Sequence, residues 1–312
     1  MAKERNSSLE MLRIISMLLI VTAHFSVHGI FPSPTVETFS LNYIILQFLG
    51  SYAYVGVNAF MLITGYFMIT SEKSNYKKIG KLIVDILFYS IILLLICYFF
   101  KLLPLSKKDI IGSISPWGYY WFVTNYVFIL LIVPFLNKTL VSLSSKKYLW
   151  LIAIIAAVTR VLPFLLQDHF SVKSGTIDYF VLFYIIGGYI RLHIKPTQHN
   201  NRNLIIALIM FALVAAIGLG VDFFALYTRN DEILSEFIHY RGIDSIPADV
   251  CSIFLFLYFN NLNLNSKLVN TVARYTLDVY LIHENRLIMN ILWGGGYFLP
   301  ILFWIPNLSY VQ

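Results

Sequence analysis

Three ionisable residues near the start of the chain, Glu10, Arg13 and His24, stand at helical spacing. A carboxylate three residues before a guanidinium lies beside it on one helix face, in the order that favours an ion pair. From Arg13 to His24 is eleven steps of about 100° each, within about 20° of three full turns, and a rise of about 16 Å. Both side chains therefore point the same way. A guanidinium binds or orients an anionic group, and an imidazole accepts a proton near neutral pH. The pair thus reads as an anion-binding group and a general base on one surface. The competing readings are a snorkelling arginine anchor and a hydrogen-bonded packing histidine. The shared face, with Glu10 beside it, weighs against them. His28 follows one turn later.

A second group lies toward the other end of the chain, in YTLDVYLIHENRL and its flank, with Arg274, Asp278, Tyr280, His283, Glu284 and Arg286. Arg274 and Asp278 are four apart and are expected to pair, while Tyr280, His283 and Glu284 fall along one helical stripe. These groups suit either a structural role, tying helices together, or the completion of a catalytic site. The dense aromatics Trp117, Tyr119, Tyr120 and Trp121 suit either an interfacial belt or a sugar-stacking platform.

The elements that must position these residues follow from composition. The 312 residues are 58% hydrophobic and only 12% charged, with a mean hydropathy of +0.73, against about 45–50% apolar and about 25% charged in soluble domains. That excludes a soluble globule and a disordered chain. The apolar residues run in long blocks and do not alternate with polar ones, which excludes an outer-membrane barrel. The expected fold is all-α: a polytopic transmembrane bundle of about ten spans forming a single membrane-embedded unit over 1–312, with no separate soluble domain. Hydropathy puts the spans at about 11–30, 43–69, 82–103, 118–136, 148–166, 177–191, 203–224, 247–261, 268–290 and 297–311, the second tilted or broken near Gly50 or Gly56. The first is read as a retained span, because Arg13 interrupts it and no cleavage site follows.

With the N-terminus inside, thirteen of the 23 Lys and Arg residues fall on the inner side and seven outside, so both termini are expected to be cytoplasmic. The net charge of +7 is then a topology marker and does not imply nucleic acid as a partner. His24 falls close to mid-membrane, where ionisable groups are costly and usually mark a site or pathway. Cys97 and Cys251 form neither a disulfide framework nor a metal-ligand cluster, and no metal is expected. There is no P-loop, GxGxxG, HExxH or GxSxG pattern.

The first span, SLEMLRIISMLLIVTAHF, resembles the opening of the acyltransferase 3 family of integral membrane acyltransferases: an acidic residue, two residues, an arginine, ten residues and a histidine. Glu10, Arg13 and His24 match at every spacing. GVNAFMLITGYFM (56–68), YYWFVTNYVFILLIVPFLN (119–137) and YTLDVYLIHE (275–284) resemble three further segments of that family. Asn58 stands where an acid is common, and Thr64 replaces the usual serine before Gly65. The extra extracytoplasmic domain of some members is expected to be lacking.

The resemblance implies transfer of an acyl group, usually acetyl, from cytoplasmic acyl-CoA to a hydroxyl of a surface carbohydrate or related envelope molecule. The expected setting is a bacterial cytoplasmic membrane. His24 is the expected base and Arg13, held by Glu10, the donor-orienting cation. Asn58, Trp121, Tyr280 and His283 are expected to bind substrate, and Lys77, Lys78 and Arg191 the phosphates of acetyl-CoA. The rival reading is a carrier or flippase for a lipid-linked sugar, in which the intramembrane charges line a path.

Overall fold

A computed structural model describes residues 5–29, 34–74, 76–162, 176–196, 201–234 and 245–293. The described residues are helical, with no strand among them. Hydrocarbon demands this, since a helix satisfies its backbone N–H and C=O groups within its own segment. Among the described residues, five segments are long and apolar enough to cross a membrane: Ser7–His28, Leu41–Met68, Tyr76–Phe99, Trp121–Val141 and Asn201–Thr228. The expected span at 297–311 lies outside the described residues.

Helix α1 (Ser7–His28) begins where the Asn6 side chain accepts from the amides of Ser8 and Leu9 at 3.1 and 3.2 Å, supplying partners for two of the otherwise orphaned donors of the first turn. The long second span breaks just past Gly50, giving α2 (Leu41–Gly50) and α3 (Ala53–Met68). Ser51 Oγ donates to the Gln47 carbonyl at 2.6 Å, and the Tyr52 ring stacks on Phe211 with centroids 3.6 Å apart. Then follow α4 (Tyr76–Phe99), a short α5 (Lys107–Ile114) and α6 (Trp121–Val141). A capping box starts α5: hydrogen bonds from Ser106 hold the Asp109 carboxyl below the usual aspartate range. Pro134, inside α6, has no N–H for the carbonyl of Leu130. Ser74 Oγ donates to that carbonyl instead, at 3.1 Å.

After α7 (Ser145–Ala156) and a π-helical turn at Ala157–Val161 come α8 (Ile177–His193), α9 (Asn201–Thr228) and α10 (Ile246–Asn260). The expected span at 268–290 is not one helix. It divides into α11 (Lys267–Val272), a 3₁₀ turn at Ala273–Tyr275, α12 (Thr276–His283) and α13 (Arg286–Trp293). The second break is built by Asn285, whose Oδ1 accepts from the amide of Leu287 at 3.1 Å and so caps α13. The expected Arg274–Asp278 pair does not form: the 3₁₀ turn takes Arg274 out of α-helical register, and Asp278 lies beside Tyr89.

Helices α3 and α8 form the buried centre. A Cβ at Gly65 would lie 2.0 Å from the Tyr184 carbonyl oxygen, and one at Gly187 would lie 2.2 Å from that of Leu62. Gly56 meets the Ser16 carbonyl in the same way, bringing α1 onto α3. Without a hydrophobic drive between helices in lipid, such close backbone approach is what packs them. Ser8 Oγ donates to the Leu262 carbonyl at 2.8 Å, and Ser7 Oγ accepts from the Ser266 amide at 3.1 Å. These bonds hold the start of α1 against the segment leading into α11.

Substitutions at these glycines should separate by sign. Gly65→Ala and Gly187→Ala are expected to lower the thermal unfolding midpoint in detergent, each costing about 1–3 kcal/mol by overpacking. Gly80→Ala and Gly220→Ala, where an added Cβ meets open space, are expected to be neutral or to gain about 0.5–1 kcal/mol.

Candidate active site

A cavity of about 880 Å³ runs along α1, walled by Arg13, Met17, Ile20, His24, Val27 and His28. These positions recur at spacings of three and four and so share a face. The opposite walls come from Tyr54, Val57, Phe60 and Thr64 of α3, Lys78 and Leu82 of α4, Trp121, Phe122, Val123 and Tyr126 of α6, and Thr276, Leu277 and Tyr280 of α12. Arg13 and His24 thus open into the same space, as their spacing requires.

The end beside the start of α1 is cationic, with Arg5, Arg13 and Lys78 all lining it. Glu10 is buried beneath it and takes contacts from Arg13 Nη1 at 3.2 Å and Arg5 Nη1 at 3.7 Å. The expected Glu10–Arg13 pair is therefore present. Arg5, one of the thirteen basic residues assigned to the inner side, joins it.

At the other end, His24 Nδ1 lies 3.0 Å from His283 Nε2 and 2.8 Å from Glu284 Oε2. His283 Nδ1 is 2.6 Å from the Val279 carbonyl, which can only accept, so that nitrogen carries the proton. In neutral His283, Nε2 is then an acceptor, and the hydrogen bond requires the proton to sit on His24 Nδ1. His24 Nε2 keeps its lone pair for the cavity. Glu284 is 8% exposed, and its Oε2 makes no hydrogen bond; its 2.8 Å contact with His24 becomes an ion pair only when the imidazole is protonated. A carboxylate so placed stabilises an imidazolium when one forms.

The expected substrate-binding residues separate. Trp121 and Tyr280 line the cavity, and the Tyr280 hydroxyl sits against the backbone amides of Phe122 and Val123 at the start of α6. His283 lies behind His24. Asn58, 0% exposed, does not reach the cavity: its Nδ2 donates to Asp249 Oδ1 at 3.1 Å. Asp249 also holds Arg160 Nε at 2.6 Å and accepts from the Tyr179 hydroxyl at 3.3 Å. The Arg160 guanidinium stands over the Tyr179 ring, which meets Tyr54 edge-on at 5.6 Å. This buried group braces the wall from which Tyr54 faces the cavity.

Of the three cations expected to bind phosphates, Lys78 is at the cationic rim, Lys77 is exposed on α4 away from the lining, and Arg191 is turned to Tyr66, its Nη1 donating to that hydroxyl at 3.2 Å. Among the four clustered aromatics, Tyr120 donates to the Leu281 carbonyl at 2.9 Å and accepts from Asn285 Nδ2 at 3.0 Å. Tyr119 stacks under Arg286. They tie α6 to the break that carries Glu284.

In comparison with known protein families, residues 6–311 match the family model described as an acyltransferase domain, of the acyltransferase 3 type. No characterised protein and no solved structure matches the chain. The family match gives no support to the carrier reading.

The brace behind Tyr54 has a measurable weight. Arg160→Met leaves Asp249 buried without its cation and is expected to cost about 3–5 kcal/mol, whereas Asn58→Leu removes one hydrogen bond to a charged group, about 1.5–3 kcal/mol. Unfolding midpoints in detergent should rank in that order; equal midpoints for Arg160→Met and the parent protein would show that the pair braces nothing.

Proposed function

The chain belongs to the acyltransferase 3 family, and on that premise we propose that it is an O-acetyltransferase of a bacterial cytoplasmic membrane. It moves an acetyl group from cytoplasmic acetyl-CoA to a hydroxyl of a cell-surface polysaccharide or related envelope glycan. The observation that carries this reading is the single cavity shared by Arg13 and His24, cationic at one end and holding an oriented imidazole at the other. The proposed topology has about ten spans and both termini in the cytoplasm. The rim of Arg5, Arg13 and Lys78 then faces the coenzyme and receives its phosphates. A volume of about 880 Å³ is that of a site for one drug-sized ligand. It suits the acyl-bearing arm, with the nucleotide at the rim.

The acceptor enters from the opposite side, past Tyr54 and Trp121, whose rings stand 6.4 Å apart and offer apolar faces to a sugar. His24 Nε2 takes the proton from the attacking hydroxyl as its oxygen adds to the thioester carbonyl carbon. The tetrahedral intermediate collapses with cleavage of the carbon–sulfur bond, and the imidazolium returns its proton to the departing thiolate. Ester and free thiol result. His283 holds the His24 tautomer and Glu284 carries the charge of the imidazolium. The apolar walls of Met17, Ile20, Val57, Phe60 and Phe122 limit water that would hydrolyse the thioester.

Purified protein supplied with labelled acetyl-CoA and envelope glycan tests this, with variants compared at equal folded abundance. His24→Ala is expected to lose about 10²–10⁴-fold in rate, the usual worth of a general base. Arg5→Ala and Lys78→Ala are expected to raise the KM for acetyl-CoA about tenfold with kcat nearly unchanged, as loss of one charge-assisted contact requires. Undiminished transfer by His24→Ala would end the proposal.

A further inference from the structure

His24, His28 and Glu284 each offer one metal-ligating atom, and these atoms lie within 4.8 Å of one another. Two imidazoles and a carboxylate with a fourth position open are a donor set suited to Zn²⁺ and its neighbours. The edge of a zinc tetrahedron with bonds of about 2.0–2.1 Å is about 3.3 Å. The separations here, from the 2.8 Å contact between His24 Nδ1 and Glu284 Oε2 up to the 4.8 Å limit, bracket it. Small ring rotations would close the set.

A second observation points to a cation at this spot. Glu284 is more than nine-tenths buried, with 8% exposure, and its Oε2 faces the cluster without a hydrogen bond. Its close polar neighbour, His24 Nδ1 at 2.8 Å, is hydrogen-bonded to His283 instead, so the buried carboxylate oxygen keeps a large desolvation cost, which a bound cation removes. An ion on His24 Nδ1, the nitrogen 2.8 Å from Glu284 Oε2, takes the place of the bond to His283 Nε2 and leaves the proton of the neutral imidazole on Nε2, where the base lone pair would otherwise be. His28, in the last turn of α1, is exposed while lining the cavity. That gives an ion a way in from the side where α1 ends.

We propose that His24, His28 and Glu284 form a site for a divalent transition metal of the zinc type, and that an ion bound there withholds His24 from proton transfer. The site itself follows from the cluster, while its consequence for transfer rests on the acyltransferase reading above. Zinc at this position is therefore an inhibitor, competing with the proton for the same imidazole.

The test uses untagged, metal-free protein in detergent, titrated with Co²⁺ and followed by its visible ligand-field absorption, with Zn²⁺ as the displacing ion. One Co²⁺ per chain with the intense bands of a four- or five-coordinate site is expected, with affinity at least tenfold weaker in His28→Ala and in Glu284→Gln. His28→Ala is the decisive variant, because the side chain is exposed and its loss leaves no buried group unpaired. Zn²⁺ is also expected to suppress transfer by the parent protein while leaving His28→Ala at its own metal-free rate. A spectrum of hydrated Co²⁺ only, or equal affinities in all three proteins, would overturn the proposal. Co²⁺ bound with the stated dependence in a protein that moves no acetyl group would uphold the metal site and count against the acyltransferase reading instead.

Discussion

The contact between His24 and the His283–Glu284 pair joins residues 259 positions apart in sequence, and the rest of the site depends on it. An imidazole in a membrane-embedded cavity is of chemical use only if its tautomer and direction are fixed. Here one bond fixes both, and it exists only because the first helix and a short helix near the other end of the chain are brought edge to edge. Ser7 and Ser8 bind the segment leading into α11, so that α1 starts in register with it. Tyr120 of the turn before α6 grips Leu281 and Asn285, holding the end of α12 in place. Loss of any of these ties would leave His24 in the cavity but without direction.

Much of this was legible in the sequence, and the reasons for the rest are physical. The all-helical membrane fold follows from long apolar blocks, and the common face of Arg13 and His24 follows from helix geometry, as does the Glu10–Arg13 pair. Periodicity failed where the helix stopped being regular. The stretch 268–290 reads as one span, yet it contains a 3₁₀ turn and a break at Glu284–Asn285. An asparagine two residues past His283 is a helix-start signal, and hydropathy averages it away. That break is what frees Glu284 to meet His24.

Residues that act across helices were the least legible. Arg5 counts toward topology in a charge tally, and only the folded chain puts it on the rim beside Arg13 and Lys78. Asn58 falls within a segment that resembles a family motif, but its amide is spent on Asp249. That bond belongs to a second buried group, in which the Arg160–Asp249 pair supports Tyr179 and through it Tyr54. Charge inside the membrane therefore divides into two uses: one group lines the cavity, and the other braces its wall. A sequence shows that both groups exist but does not show which residue belongs to which.

The role of His24 as a base stands or falls on its tautomer. ¹⁵N NMR of histidine-labelled protein, with His24 assigned by its loss in His24→Ala, distinguishes a protonated ring nitrogen from one bearing a lone pair. In the neutral form the proton is expected on Nδ1, toward His283, and the lone pair on Nε2, toward the cavity. A neutral His24 carrying its proton on Nε2 would have no base to offer the acceptor hydroxyl, and His24 could not then be the group that takes its proton.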